Sequence, residues 1–174
     1  MDRQISQASG ILALTLLLLL FGTATLYGQQ AATVSLNGFS NIPPVQSSGS
    51  GSVTVVIDDD QLSVEGEISD LDSRYTSSGI YYGSPRETGN QLIKLHLETG
   101  ENSRQGEFRR EDNTFDLRSG IREALEAGNL YISVSTEENR SGELRGQVPP
   151  LGNGQWQDYD FFENLDEQEI TVPQ

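Results

Sequence analysis

The segment Gly142-Glu143-Leu144-Arg145-Gly146 sets a carboxylate and a guanidinium two residues apart, with glycines on either side. In an extended strand, residues i and i+2 share a face, and glycines let another backbone approach closely. Glu143 and Arg145 could therefore pair with neighbours, with each other, or grip a ligand through the arginine. Asp58-Asp59-Asp60 offers three adjacent carboxylates, but calcium loops space their oxygens at alternate positions around a glycine, so this run reads as a polar hairpin turn. His96 is the single histidine. In "QLIKLHLE" it alternates with Ile93, Leu95 and Leu97, which makes it a solvated strand residue rather than a metal ligand. A nucleophilic triad would have to take its base from that position, with no orienting partner in sight. A chain with 26 acidic residues will place some two carboxylates at a hydrolytic separation by chance, so carboxylate pairs point to no glycosidase.

The elements that would hold these groups are strands. Val34 and Leu36, then Val53, Val55 and Ile57, then Leu62, Val64, Gly66 and Ile68 recur with period two, the pattern of half-buried strands. "GIYYG" and "QLIKLHLE" follow, separated by the turn formers of "SPRETGN", and "GEFRRED" adds a short strand. "SGIREALEAGN" is the one helical stretch, with Ile121, Ala124 and Leu125 on a stripe, Ser119 as its cap and Gly128 as its stop. Leu130, Ile132 and Val134 then alternate with Tyr131, Ser133 and Ser135, and "GELRGQV" returns as the final strand. Short strands with turn signals and one small helix predict an antiparallel β-sandwich.

Composition narrows the function. The 174 residues carry 11 basic side chains and a net charge of −15, which repels phosphate backbones and anionic lipid; nucleic acid is excluded as a partner. Cysteine is absent, so disulfides and thiolate chemistry are too. Residues 1–28 read as a signal peptide, with an apolar run from Ile11 to Phe21 between a polar start and small residues. Its removal would leave no stable membrane span and place the rest outside the cytoplasm, secreted, periplasmic or at the cell surface. Residues 33–148 form the expected domain. Residues 149–174 read as an acidic, largely disordered tail in which Trp156, Tyr159, Phe161 and Phe162 make a sticky patch; docking of "YDFFENL" on the domain or on a partner is the alternative. "NRS" at Asn139 is a glycosylation sequon by pattern.

"AGNLYISVSTEENRSGELRGQV" resembles the C-terminal signature of the CHRD domain, the module of chordin and of bacterial exported proteins, through Tyr131, Gly142, Glu143, Arg145 and Gly146. "LNGFSNIPPVQSSGSGSVTVVI" is similar to the family's opening, through Pro43, Pro44 and Gly51. The resemblance implies an immunoglobulin-like or superoxide-dismutase-like sandwich with no established enzymatic activity. Members commonly carry three histidines where Gly79, Tyr81 and Ser135 stand here. Glycine, phenol and hydroxyl do not bind zinc or copper comparably, so no cofactor and no metal are expected. The resulting expectation is a non-catalytic, bacterial exported module for interaction or structure at the cell envelope, with an unidentified protein or glycan partner. The alternatives are a metal-handling or dismutase-like enzyme, and a glycan-binding module that stacks sugars on Tyr81, Tyr82 and Trp156.

Overall fold

The computed structural model describes residues 29–152. Ten strands and one helix follow in the order β1 (Gln30–Asn37), β2 (Ser50–Asp58), β3 (Gln61–Ser69), β4 (Tyr75–Tyr82), β5 (Gln91–Leu95), β6 (Glu98–Thr99), β7 (Gly106–Phe108), β8 (Thr114–Asp116), α1 (Ser119–Glu126), β9 (Leu130–Thr136) and β10 (Leu144–Val148). All pairings are antiparallel. They make one sheet in the order β5-β4-β9-β10-β1-β2-β3-β7-β6, with β8 also against β3. The sheet curls on itself: its two end strands, β5 and β6, are joined in sequence by only His96 and Leu97.

Period-two patterning produces this directly. Val34 and Leu36 of β1, Val53, Val55 and Ile57 of β2, and Leu62, Val64 and Ile68 of β3 share one core cluster with Ile80, Ile93, Leu95, Leu130, Ile132, Val134 and Leu144 from the other half of the sheet. The halves meet at a narrow join, where β1 and β10 pair at Asn37 and Arg145. Gly146 makes that join possible, because a Cβ there would stand 2.5 Å from the Ser35 carbonyl oxygen and 2.6 Å from a Val34 methyl. Asp59 and Asp60 form the two-residue turn of the β2–β3 hairpin, with Asp58 opposite Gln61. Asp59 takes φ 51, a conformation aspartate tolerates better than most residues. Arg122 holds this turn by donating to the Asp59 carbonyl (2.8 Å) and the Asp60 carboxylate (3.0 Å).

Four expectations need correction. Ser119 does not cap the helix: Arg118 occupies that position without a side-chain bond, and its carbonyl accepts from Ile121 and Arg122, which makes Ser119 the first helical residue. The helix does stop at Gly128 (φ 69). There the Gly128 and Asn129 amides donate to Leu125 and Ala124, the paired bonds of a Schellman ending. Next, "QLIKLHLE" is two strands, not one. The apolar alternation runs unbroken through Ile93, Leu95 and Leu97, but His96 lies in the crossover between the sheet's ends. Asn113, fully buried, clamps it there, accepting from the His96 amide (2.7 Å) and donating to the His96 carbonyl (2.9 Å). Third, β9 is buried on both faces instead of one, because a loop covers its outer side. Fourth, β8 supplies a short strand that the sequence pattern did not mark.

Residues 1–28, over which a signal peptide is expected, and residues 153–174 of the expected tail, Trp156 among them, lie outside the described residues. Among the described residues, no helix is long and apolar enough to cross a membrane.

Candidate functional site

The outer face of β4, β9 and β10 gathers five of the residues singled out in the sequence, Gly79, Tyr81, Tyr131, Ser135 and Arg145. Strand register places Gly79, Ser133 and Arg145 in one cross-strand row, and Tyr81, Tyr131 and Gln147 in the next. Side chains directly opposite on neighbouring antiparallel strands share a face, so these rows form a continuous surface. On it the rings of Tyr81 and Tyr131 stack with centroids 5.3 Å apart and planes 15° from parallel. The Arg145 guanidinium lies 3.7 Å from the Tyr131 ring centroid, an attraction of the cation to the π-face that strengthens on desolvation. Three flat groups are thereby layered across the sheet.

The loop between β4 and β5, residues 83–90, closes over them. Arg145 Nη2 donates to the carbonyls of Ser84 (2.9 Å) and Glu87 (2.8 Å) and to the Gln147 side chain (3.3 Å). Gln147 Nε2 donates to the carbonyls of Gly83 (2.9 Å) and Gly128 (2.8 Å). The Gly89 amide donates to the Tyr131 hydroxyl at 3.2 Å. Arg145 is 2% exposed, and burial pulls its pKa below the ordinary guanidinium value, with the Tyr131 phenol acting in the opposite sense. Its Nη1 is buried without a hydrogen-bond partner among the described residues. Burial likewise pushes the Tyr81 phenol above its ordinary value, helped by Tyr131 and Tyr75.

Glu143 works at the other end of the same motif and does not pair with Arg145. It is fully buried just before β10. Its carboxylate accepts from Ser47 Oγ (2.7 Å), the Asp72 amide (2.8 Å) and Thr136 Oγ1 (2.7 Å). Its carbonyl accepts from Asn41 Nδ2 at 2.7 Å, and its amide donates to Val134. One side chain thus ties the β1–β2 loop, the β3–β4 loop and the end of β9 together. Gly142 precedes it at φ 130, in backbone space that side chains rarely enter. In the same clasp the hydroxyl and amide of Ser48 bind the Asp72 carboxylate (2.7 and 3.2 Å) and hold its pKa below the usual carboxylate range.

The remaining sequence-marked residues spread around this framework. Pro43 and Pro44 are exposed in the β1–β2 loop, after a cis Ile42–Pro43 bond. Gly51 sits in β2 opposite Leu36 and Ile68. Gly79 and Tyr81 stand two apart on β4, and Ser135 lies opposite Ser77, diagonal to Gly79 on the same outer face. The positions are brought together, but the space beside Gly79 holds the Gln91 amide, which donates to the Ser78 carbonyl at 3.3 Å. Tyr81 and Tyr82, being successive strand residues, point to opposite faces: the first is stacked and half-buried, the second 50% exposed. No three His, Cys, Asp or Glu side chains among the described residues converge as a metal site. Asn113 is the residue sequence reasoning missed; a single asparagine in a loop carries no periodic signal.

This arrangement is one of fastening. The Glu143 carboxylate is engaged by two hydroxyls and the Asp72 amide, and the Arg145 guanidinium and the Gln147 amide chiefly by backbone carbonyls. The chain matches the family model described as CHRD domain over residues 23–148. No curated protein and no solved structure matches it. With most of its length inside that match, including both loops and the final strand that Glu143 and Arg145 fasten, the chain belongs to the CHRD domain family.

Proposed function

We propose that this CHRD-domain chain is a non-catalytic exported module that serves an interaction or structural role at the cell envelope. One observation carries the reading. Glu143 and Arg145, the charged residues of the family signature, are 0% and 2% exposed and committed to loops of their own domain. Charged side chains used so fix a scaffold and leave recognition to its surface. Export rests on the leader-like run from Ile11 to Phe21.

The test is recovery of a specific partner from the envelope fraction by the full chain, together with metal analysis and a dismutase assay of the purified protein. A captured envelope component with blank metal and blank dismutase results supports the reading; stoichiometric metal with turnover overturns it. A second reading, in which Arg145 grips a small anion, draws on its buried Nη1. Calorimetric titration with acetate and with chloride separates the two, since a saturable signal lost in Arg145→Gln is expected only under the second.

A further inference from the structure

The curled sheet ends in two edges of opposite character. At one end β6 is two residues long, and Glu98 faces Glu107, which faces Glu67 across β7 and β3. Arg109 reaches Glu98 at 2.6 Å and Glu107 at 3.8 Å, so two of these three carboxylates share one cation. At the other end, residues 74–83 and 88–97, which contain β4 and β5, include Arg74, Lys94 and His96 but no Asp or Glu, in a chain with 26 of them. The outer side of β5 pairs with no described strand. Tyr82 and Leu92 beside it are 50% and 43% exposed. An unpaired edge with apolar side chains is a template for a further extended segment.

The chain itself contains a complement. Residues 153–174 carry Asp158, Asp160, Glu163, Asp166, Glu167 and Glu169 and no basic side chain, together with Trp156, Tyr159, Phe161 and Phe162 and a β-prone Ile170-Thr171-Val172. Their attachment point is close. Val148, Leu130 and Tyr82 stand in one row across β10, β9 and β4, and the Tyr82 amide donates to Asn90 just before β5. That row spans three strand spacings, about 15 Å. The eight or nine residues between Gly152 and Phe161 or Phe162 span up to about 30 Å when extended.

We propose that the segment 156–172 of this chain lies along the free edge of β5. Its aromatic side chains cover Tyr82 and Leu92, and the carboxylates that follow run toward Lys94 and His96. The acidic β6 edge repels the same segment, so charge selects the end of the sheet. This contact stands apart from the envelope role and is read on the purified chain alone.

Two measurements test it on the full-length protein. The chain has no cysteine, so the double variant Leu92→Cys/Phe161→Cys is expected to form an intramolecular disulfide in the dilute monomer. The control Glu111→Cys/Phe161→Cys, with its first site in the turn between β7 and β8 beside the opposite end of the sheet, is expected to stay reduced. Equal oxidation of both pairs overturns the proposal, as does cross-linking only between two copies, which would make a second chain the occupant. For the unmodified protein, the Leu92 and Lys94 amides are expected to exchange about tenfold slower than in Tyr159→Ser/Phe161→Ser/Phe162→Ser. Unchanged exchange in that variant overturns the proposal without any engineered cysteine.

Discussion

At the scale of single residues, the two charges of the signature differ in what replaces them. Glu143 accepts three hydrogen bonds from neutral donors while fully buried. Hydrogen bonds to a charged group contribute about 1.5–3 kcal/mol each, and stranded donors cost more. Glu143→Ala is expected to lose about 3 kcal/mol or more in urea unfolding. Glu143→Gln, whose amide nitrogen can donate to the Thr136 hydroxyl, should lose about 1 kcal/mol; equal losses would mean that the charge matters more than the bonding pattern. Tyr81 has a pH consequence. Its phenol is raised in the folded state by burial first, then by Tyr131 and Tyr75. The folded form therefore keeps its proton where the unfolded chain has released one. That contribution is complete below the unfolded value near pH 10 and is lost as pH rises toward and through the folded value. Tyr81→Phe should flatten the fall in stability between about pH 9 and pH 11, measured by denaturant midpoints. An unchanged slope would assign that fall to other groups, Tyr75 first among them, whose phenol burial also raises.

At the scale of elements, what was legible depended on whether burial followed from a strand's own pattern. The core positions of β1, β2, β3 and β5 alternate in sequence and are buried in the fold, and α1 shows its stripe and its glycine stop. β9 looks half-polar through Tyr131, Ser133 and Ser135, yet it is buried throughout, because its second cover is a distant loop recruited by Arg145 and Gln147. β8 is three residues, Thr-Phe-Asp, too short to display a period. The break after β5 was hidden since Ile93, Leu95 and Leu97 all turn inward even as the chain passes from one sheet end to the other. Asn113 makes that passage, with bonds to both backbone groups of His96 and to the Arg109 carbonyl (2.9 Å). Asn113→Ala strands those groups in a buried setting, so a loss of about 2–3 kcal/mol is expected. Amide exchange should accelerate first around residues 95–99. Uniform acceleration across the domain would show that the crossover opens only with global unfolding.

At the scale of the whole molecule, the fold must hold together against its own charge. A net charge of −15 is carried by a chain whose single lysine is Lys94, and Arg109, Arg110 and Arg122 form ion pairs on its surface. Those pairs are partly exposed, and each contributes at most about 1 kcal/mol. Carboxylate repulsion is therefore the larger electrostatic effect on stability, and it acts between exposed charges separated by distances that salt screens. The Debye length falls from about 30 Å at 0.01 M to about 3 Å at 1 M. The buried bonds of Glu143 and Arg145 lie out of reach of that screening. Raising sodium chloride from about 0.01 M to about 1 M should lift the melting temperature by about 5 °C or more, with most of the gain complete below about 0.3 M, where the screening length has already dropped under the spacing of surface carboxylates. Sodium sulfate at matched ionic strength separates screening from preferential exclusion, because only the latter continues to climb at high concentration. A flat or falling melting temperature would mean that surface ion pairs outweigh the repulsion, and that the acidic composition imposes no cost a saline environment would relieve.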